Sequence, residues 1–208
     1  MGAFLSNIRY VAWGGLGVAA LFLLVYALGV KGFQFGDAMF WEAALRWGHV
    51  VSGIMWIGHL YYFNFTQIPN VPKIPEEHRG PAVSKVIAPA ALFWFRWGAV
   101  FTLVTGLFLA LNQGYLTQAL TLGAADDPSF SVTKHVFIGI GMWLAIIMFL
   151  NVWVVIWPAQ QKALNIDNKY PDLPDRPKFA RTAMLFSRTN TFLSFPMLIA
   201  MTGASALG

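Results

Sequence analysis

The chain has 208 residues, a net charge of +5 and no cysteine, and 57% of its residues are hydrophobic against 11% charged. A soluble domain carries about 25% charged residues, so this composition excludes an ordinary soluble globule and points to an integral membrane protein. Without cysteine there is no disulfide, no thiolate metal site and no c-type haem attachment through C-x-x-C-H. The positive charge comes without a basic patch interleaved with aromatics, and reads as membrane topology rather than nucleic-acid binding.

A spanning helix needs about 20 mostly apolar residues. Five segments qualify: residues 10–30, 41–65, 87–111, 132–157 and 183–207. The opening MGAFLS fits an N-myristoylation pattern, but one acyl chain adds little to a chain that already crosses the bilayer. Arg9 precedes the first segment as in a signal peptide. The apolar run there exceeds the roughly 7–15 residues of a signal core, which predicts a retained helix. The connections hold the Pro, Asp and Lys: QIPNVPKIPEEHRGP, NQGYLTQALTLGAADDPSFS and PAQQKALNIDNKYPDLPDRPKF. No internal repeat or low-complexity tract breaks the pattern. The expectation is one all-α domain over residues 1–208, a polytopic bundle of five transmembrane helices.

Cytoplasmic loops collect Lys and Arg. Arg9, Lys73, Arg79, Lys85, Lys162, Lys169, Arg176, Lys178 and Arg181 fall on one side, and Lys31, Arg46 and Lys134 on the other. This predicts a cytoplasmic N-terminus, a periplasmic C-terminus and residence in a bacterial inner membrane. Trp41, Trp47, Trp153 and Trp157 fall near the interfaces, as aromatic belts do.

The second segment, LRWGHVVSGIMWIGHLYYFNF, places His49 about two turns below the outer surface, and the fourth places His135 near its outer end. Two histidines on different helices in one leaflet match what bis-histidine ligation of a haem between helices needs. Each has glycine at i+4, Gly53 and Gly139, on the same helix face, where a missing side chain leaves room for a flat macrocycle. Arg46 and Lys134 stand near them and suit haem propionates. The plainer reading is that a histidine near a helix end snorkels or bonds a neighbouring backbone group, and that small residues such as Gly48 and Ser52 serve helix packing. His59 lies about 15 Å deeper with Phe63 at i+4, and is a ligand for a second haem only with an unlike partner.

A polar cluster sits towards the cytoplasmic end: His59, Asn64, Asn151, Arg188 and Asn190, with Arg96 nearer mid-span. The sequence offers no carboxylate inside a span except Glu42 at the outer edge. Charges in lipid pair or face a cavity, so Arg96 and Arg188 either snorkel or meet an anion. This group is the expected substrate or quinol pocket: His59, Asn151, Arg188, Asn190 and Arg96. Pro196 is expected to kink the last helix.

Three stretches together resemble the membrane domain of the bacterial membrane-bound urate oxidases, the urate hydroxylase type. LRWGHVVSGIMWIGHLYYFNF is similar to its L-R-W-x-H-V-x-x-G-I-x-W-I-G-x-x-x-Y-F signature. NVWVVIWPAQQKAL is similar to N-V-x-x-V-I-x-P-x-Q-x-K, and SRTNTFLSFPMLIAM to its final helix with N-x-x-L-x-x-P-M-L. More distantly, the setting of His49 resembles haem-binding membrane protoporphyrinogen oxidases and copper-resistance membrane proteins. The resemblance implies a redox-linked bundle. Many of that family's members end in a cytochrome c domain, whereas this chain has no cysteine and ends at Gly208, so electrons are expected to leave to a separate periplasmic cytochrome. The expected function is a b-type haem protein in electron transfer, with one haem on His49 and His135. The alternative is a non-catalytic accessory subunit or assembly factor of a larger membrane respiratory complex. Copper held by the histidines with Met55, Met142 and Met148 ranks last, because the methionines lack ligand spacing.

Overall fold

The computed structural model describes residues 2–29, 36–204 and 206. Lys31, and the expected helix ends at 30 and 207, lie outside the described residues. Among those described, every regular element is helical. Five long helices carry the fold: α1 (Ile8–Gly29), α2 (Ala38–Tyr61), α3 (Glu76–Asn112), α4 (Thr133–Leu164) and α5 (Arg176–Gly203). Three of them, α1, α3 and α4, are long and apolar enough to cross a membrane. The other two expected spans correspond to α2, which carries Glu42 and Arg46, and α5, which carries four Lys and Arg and a run of Ser, Thr and Asn.

Sequence-local rules explain the ends. Asp37 caps α2, its Oδ1 accepting the Met39 N–H at 2.9 Å, which satisfies one orphan donor of the first turn. Asn165 stops α4 in the left-handed region at φ 51°, a conformation asparagine tolerates at a helix end.

Prolines set the helix interiors. The ring of a proline clashes with the carbonyl four residues back and supplies no N–H. Here the chain widens to a π-helical turn just before Pro69, Pro89 and Pro158, at Tyr62–Gln67, Arg79–Ile87 and Asn151–Ile156. The residue preceding each proline reaches back five positions: Ile68 to Phe63, Ala88 to Val83 and Trp157 to Val152. The wider turn moves the obstructing carbonyl aside and keeps the helix continuous.

The helices pack as two antiparallel pairs, α2 with α3 and α4 with α5, joined where α5 meets α2 and α3 meets α4. Trp56, Leu60, Leu92, Phe95, Met148, Val152 and Ile156 form the shared core. Gly98 lets α2 and α3 close: a Cβ there would stand 3.0 Å from the Trp56 backbone nitrogen. α1 touches α2 and buries only Ala27 among its described residues. One end of the bundle gathers Glu42, Arg46, Asn112 and His135. The other gathers the ends of α3, α4 and α5 that run past the expected boundaries at 87, 157 and 183.

Candidate functional site

His49 lies on the α2 face that packs on α3. Its Nδ1 is 2.9 Å from the Thr102 carbonyl oxygen. A carbonyl only accepts, so Nδ1 carries the hydrogen and the neutral ring keeps its lone pair on Nε2. Thr102 is positioned in turn by its own hydroxyl, which donates to the Gly98 carbonyl at 2.7 Å. The ring fits because position 106 is glycine: a Cβ there would come 2.8 Å from His49 Cε1. Gly53, one turn along, faces the same helix, where a Cβ would stand 3.9 Å from the Thr102 methyl.

His135 belongs to a different environment. It stands at the start of α4, where its Nδ1 donates to the Asp126 carboxylate. Its ring stacks on Tyr115 with centroids 6.2 Å apart and planes at 20°. Burial pushes the Tyr115 hydroxyl up from its usual range, with Arg46 pulling down and Glu42 pushing up, so the start of α2 and the start of α4 meet at this tyrosine. Gly139 packs against the Ala119 carbonyl of the Leu116–Leu120 turn. Arg46 pairs with Glu42 at 2.5 Å, and Lys134 is exposed.

The polar residues expected to form a pocket divide into separate contacts. Asn151 donates to Asn190 Oδ1 at 2.9 Å, and Asn190, fully buried, donates to the Met148 carbonyl at 2.9 Å. Together they tie α4 to α5. Ser194 gives its hydrogen to the Thr191 carbonyl, so Tyr61 is the donor of the 2.9 Å contact to Ser194 Oγ that ties α2 to α5. His59 turns back on its own helix, Nδ1 donating to the Met55 carbonyl at 2.7 Å. Arg188 is exposed.

Arg96 shows how a cation is held in a span without a carboxylate. Its Nε donates to the Leu92 carbonyl at 3.1 Å, and its guanidinium carbon lies 3.2 Å from the Trp157 ring centroid and 5.6 Å from that of Trp153. The ring faces supply the negative potential. Trp153 and Trp157, expected as belt residues, are therefore half-buried partners of Arg96.

These contacts test a shared haem. His49 and Gly53 face α3, and His135 and Gly139 face the turn after α3. The partners of His49 lie about two turns inside the end of α3, whereas those of His135 lie beyond it. Among the described residues, His49 and His135 therefore pack on different elements and share no contact. The donor chemistry does fit haem one histidine at a time. All three rings donate through Nδ1 to a fixed oxygen and keep Nε2 for a metal, as iron- and zinc-bound histidines do. Among the described residues no group of three or more His, Asp or Glu gathers as a metal-ion cluster. Thr102, Gly106, Tyr115 and Asp126 escaped the sequence reading. A backbone acceptor leaves no sequence signature, and Asp126 is nine residues from its partner across a loop.

No curated protein and no solved structure matches the chain. Two of the three motif stretches, NVWVVIWPAQQKAL and SRTNTFLSFPMLIAM, fall within the part of the chain for which a family match exists. Over residues 125–205, most of it α4 and α5, the chain is similar to the family described as Urate oxidase N-terminal.

Proposed function

We propose that the chain is a membrane-embedded redox subunit of the urate oxidase membrane-domain kind, which carries haem b on His49 and passes electrons to a separate periplasmic cytochrome c. All five long helices cross the inner membrane in this reading. The end rich in Lys and Arg is cytoplasmic, and the end with Glu42, Tyr115 and His135 faces the periplasm. The family match over 125–205 supports the redox class. The observation that carries the haem is His49 itself: a half-buried ring within a helix pair, oriented by the Thr102 carbonyl, with Nε2 left to bind iron. Haem supplies the one-electron chemistry. The chain supplies the ligand, its orientation and a dry, low-dielectric surround. His135, Asp126 and Tyr115 form a polar group at the exit side, where a soluble carrier docks.

The test is a pyridine haemochrome assay with metal analysis on the purified full chain, followed by chemical reduction of the protein, removal of excess reductant and one-electron transfer to added ferricytochrome c. Haem b in near-stoichiometric amount that reduces cytochrome c supports the reading. A protein free of haem refutes it, and copper in its place supports the metal-handling alternative. A second reading, an accessory subunit of a larger membrane complex, is favoured by α1, which leaves nearly all its described surface unburied by its own chain. Co-purification of a fixed partner with haem-free protein would establish it.

A further inference from the structure

A cleft of about 500 Å³ opens at the cationic end, between the ends of α2, α3, α4 and α5. Its floor is apolar, built from the buried side chains Phe63, Leu92, Phe95 and Ile156. Arg176 and Arg181 give it positive charge, and Gln67 and the buried Ser187 add polar groups to its lining. No aspartate or glutamate lines it among the described residues. Arg176 donates to the carbonyls of Tyr170 and Pro171, both at 2.8 Å, so its charge is fixed at the rim. Arg181 is exposed and forms no ion pair among the described residues. At or beside the cleft, two buried amide oxygens lack a donor among the described residues: Gln67 Oε1 on the cleft wall, and Asn64 Oδ1, whose amide nitrogen donates to the cleft residue Ser187. Such an acceptor is expensive to leave unmet.

We propose that this cleft binds one anionic glycerophospholipid of the phosphatidylglycerol type from the adjoining leaflet. The phosphate meets Arg176 and Arg181, a headgroup hydroxyl donates to Gln67 Oε1, and the upper acyl chain lies on the Phe63, Leu92, Phe95 and Ile156 floor. The charge complementarity selects an anion, the orphan acceptor selects a headgroup with an O–H, and the floor selects an amphiphile over a soluble ion. Basic pockets between helices at a membrane surface bind anionic headgroups in this way. The site is separate from His49 and independent of the redox reading.

The experiment uses the full chain, delipidated in detergent and titrated with phosphatidylglycerol or phosphatidylcholine, with bound lipid counted by native mass spectrometry. The expected result is one phosphatidylglycerol per chain, bound at least about tenfold tighter than phosphatidylcholine. Losing one charge-assisted contact weakens binding about tenfold, so Arg181→Gln, at an exposed position that leaves packing intact, weakens phosphatidylglycerol by that factor. Gln67→Met, close in volume, also weakens it, and Arg9→Gln on α1 does not. Equal binding of the two lipids overturns the proposal, as does unchanged affinity in Arg181→Gln. Displacement by soluble glycerol phosphate at the same concentration as lipid also overturns it, because the site would then be one for a free anion.

Discussion

Asn190 gives the clearest test of how the two helix pairs are held. Its side chain is fully buried and makes two bonds to α4: one to the Met148 carbonyl and one from Asn151, both at 2.9 Å. Bonds between membrane helices average ~0.6 kcal/mol and reach ~1.7 kcal/mol. Asn190→Ala removes both and is expected to destabilise the bundle by about 1–3 kcal/mol. Asn151→Ala removes one, for about 0.6–1.7 kcal/mol. The double variant repeats the loss of the shared bond only once, so the cycle yields a coupling of that same size. The assay is equilibrium unfolding of the purified chain in mixed micelles, followed by tryptophan fluorescence. Additivity within ~0.3 kcal/mol, the normal scatter for independent sites, would refute the bond. Asn190→Leu separates structure from binding. It should lower stability yet keep any haem and electron transfer, because the two asparagines satisfy each other; full stability with lost activity would show that they serve a ligand.

Gly106→Ala places a methyl against the His49 ring and should lower haem content without removing the histidine, while Gly53→Ala, with 3.9 Å of clearance, should lower it far less; pyridine haemochrome assays of both decide. Trp157→Leu strips Arg96 of its nearer ring and should destabilise the fold by about 1–2 kcal/mol, the range for a desolvated cation–π contact, and Arg96→Met should recover part of that loss in the same unfolding assay. Asp127 is held at a pKa of about 2, chiefly by the Ser129 hydroxyl and amide, with Ser131 contributing. A depressed carboxyl supports its loop above the ordinary carboxylate pKa and ceases to as pH falls through about 2. Amide exchange at residues 126–131, taken relative to intrinsic rates and followed from pH 6 down through about 2, should show the loop loosening in the wild type and pH-independent looseness in Asp127→Asn.

The existence of the helices was legible because length and apolarity are direct physical requirements of a span. Their ends at the cationic face were not. Residues 76–86, 158–164 and 176–182 are polar enough to leave hydrocarbon yet remain helical, so apolarity and helicity end at different places. The π turns had a readable sign in Pro69, Pro89 and Pro158, which demand a local widening. At the site, residue types were legible but pairings were not. Two histidines with glycine at i+4 imply a common slot only if their faces converge. Here Gly106 admits the His49 ring to α3, and the turn after α3 fills the face of Gly139. Arg96 lacked a carboxylate in the sequence, and its partners are aromatic faces that composition alone assigns to the interface.

The most direct measurement is the reduced-minus-oxidised visible spectrum of the purified wild type beside His49→Ala and His135→Ala, each checked for folding by circular dichroism. A b-type signal is expected in the wild type, lost in His49→Ala and retained in His135→Ala, whose ring packs apart from His49 on Asp126 and Tyr115. Loss in both variants would contradict the separation of the two histidines and restore a shared haem. A wild type without the signal would contradict haem binding itself.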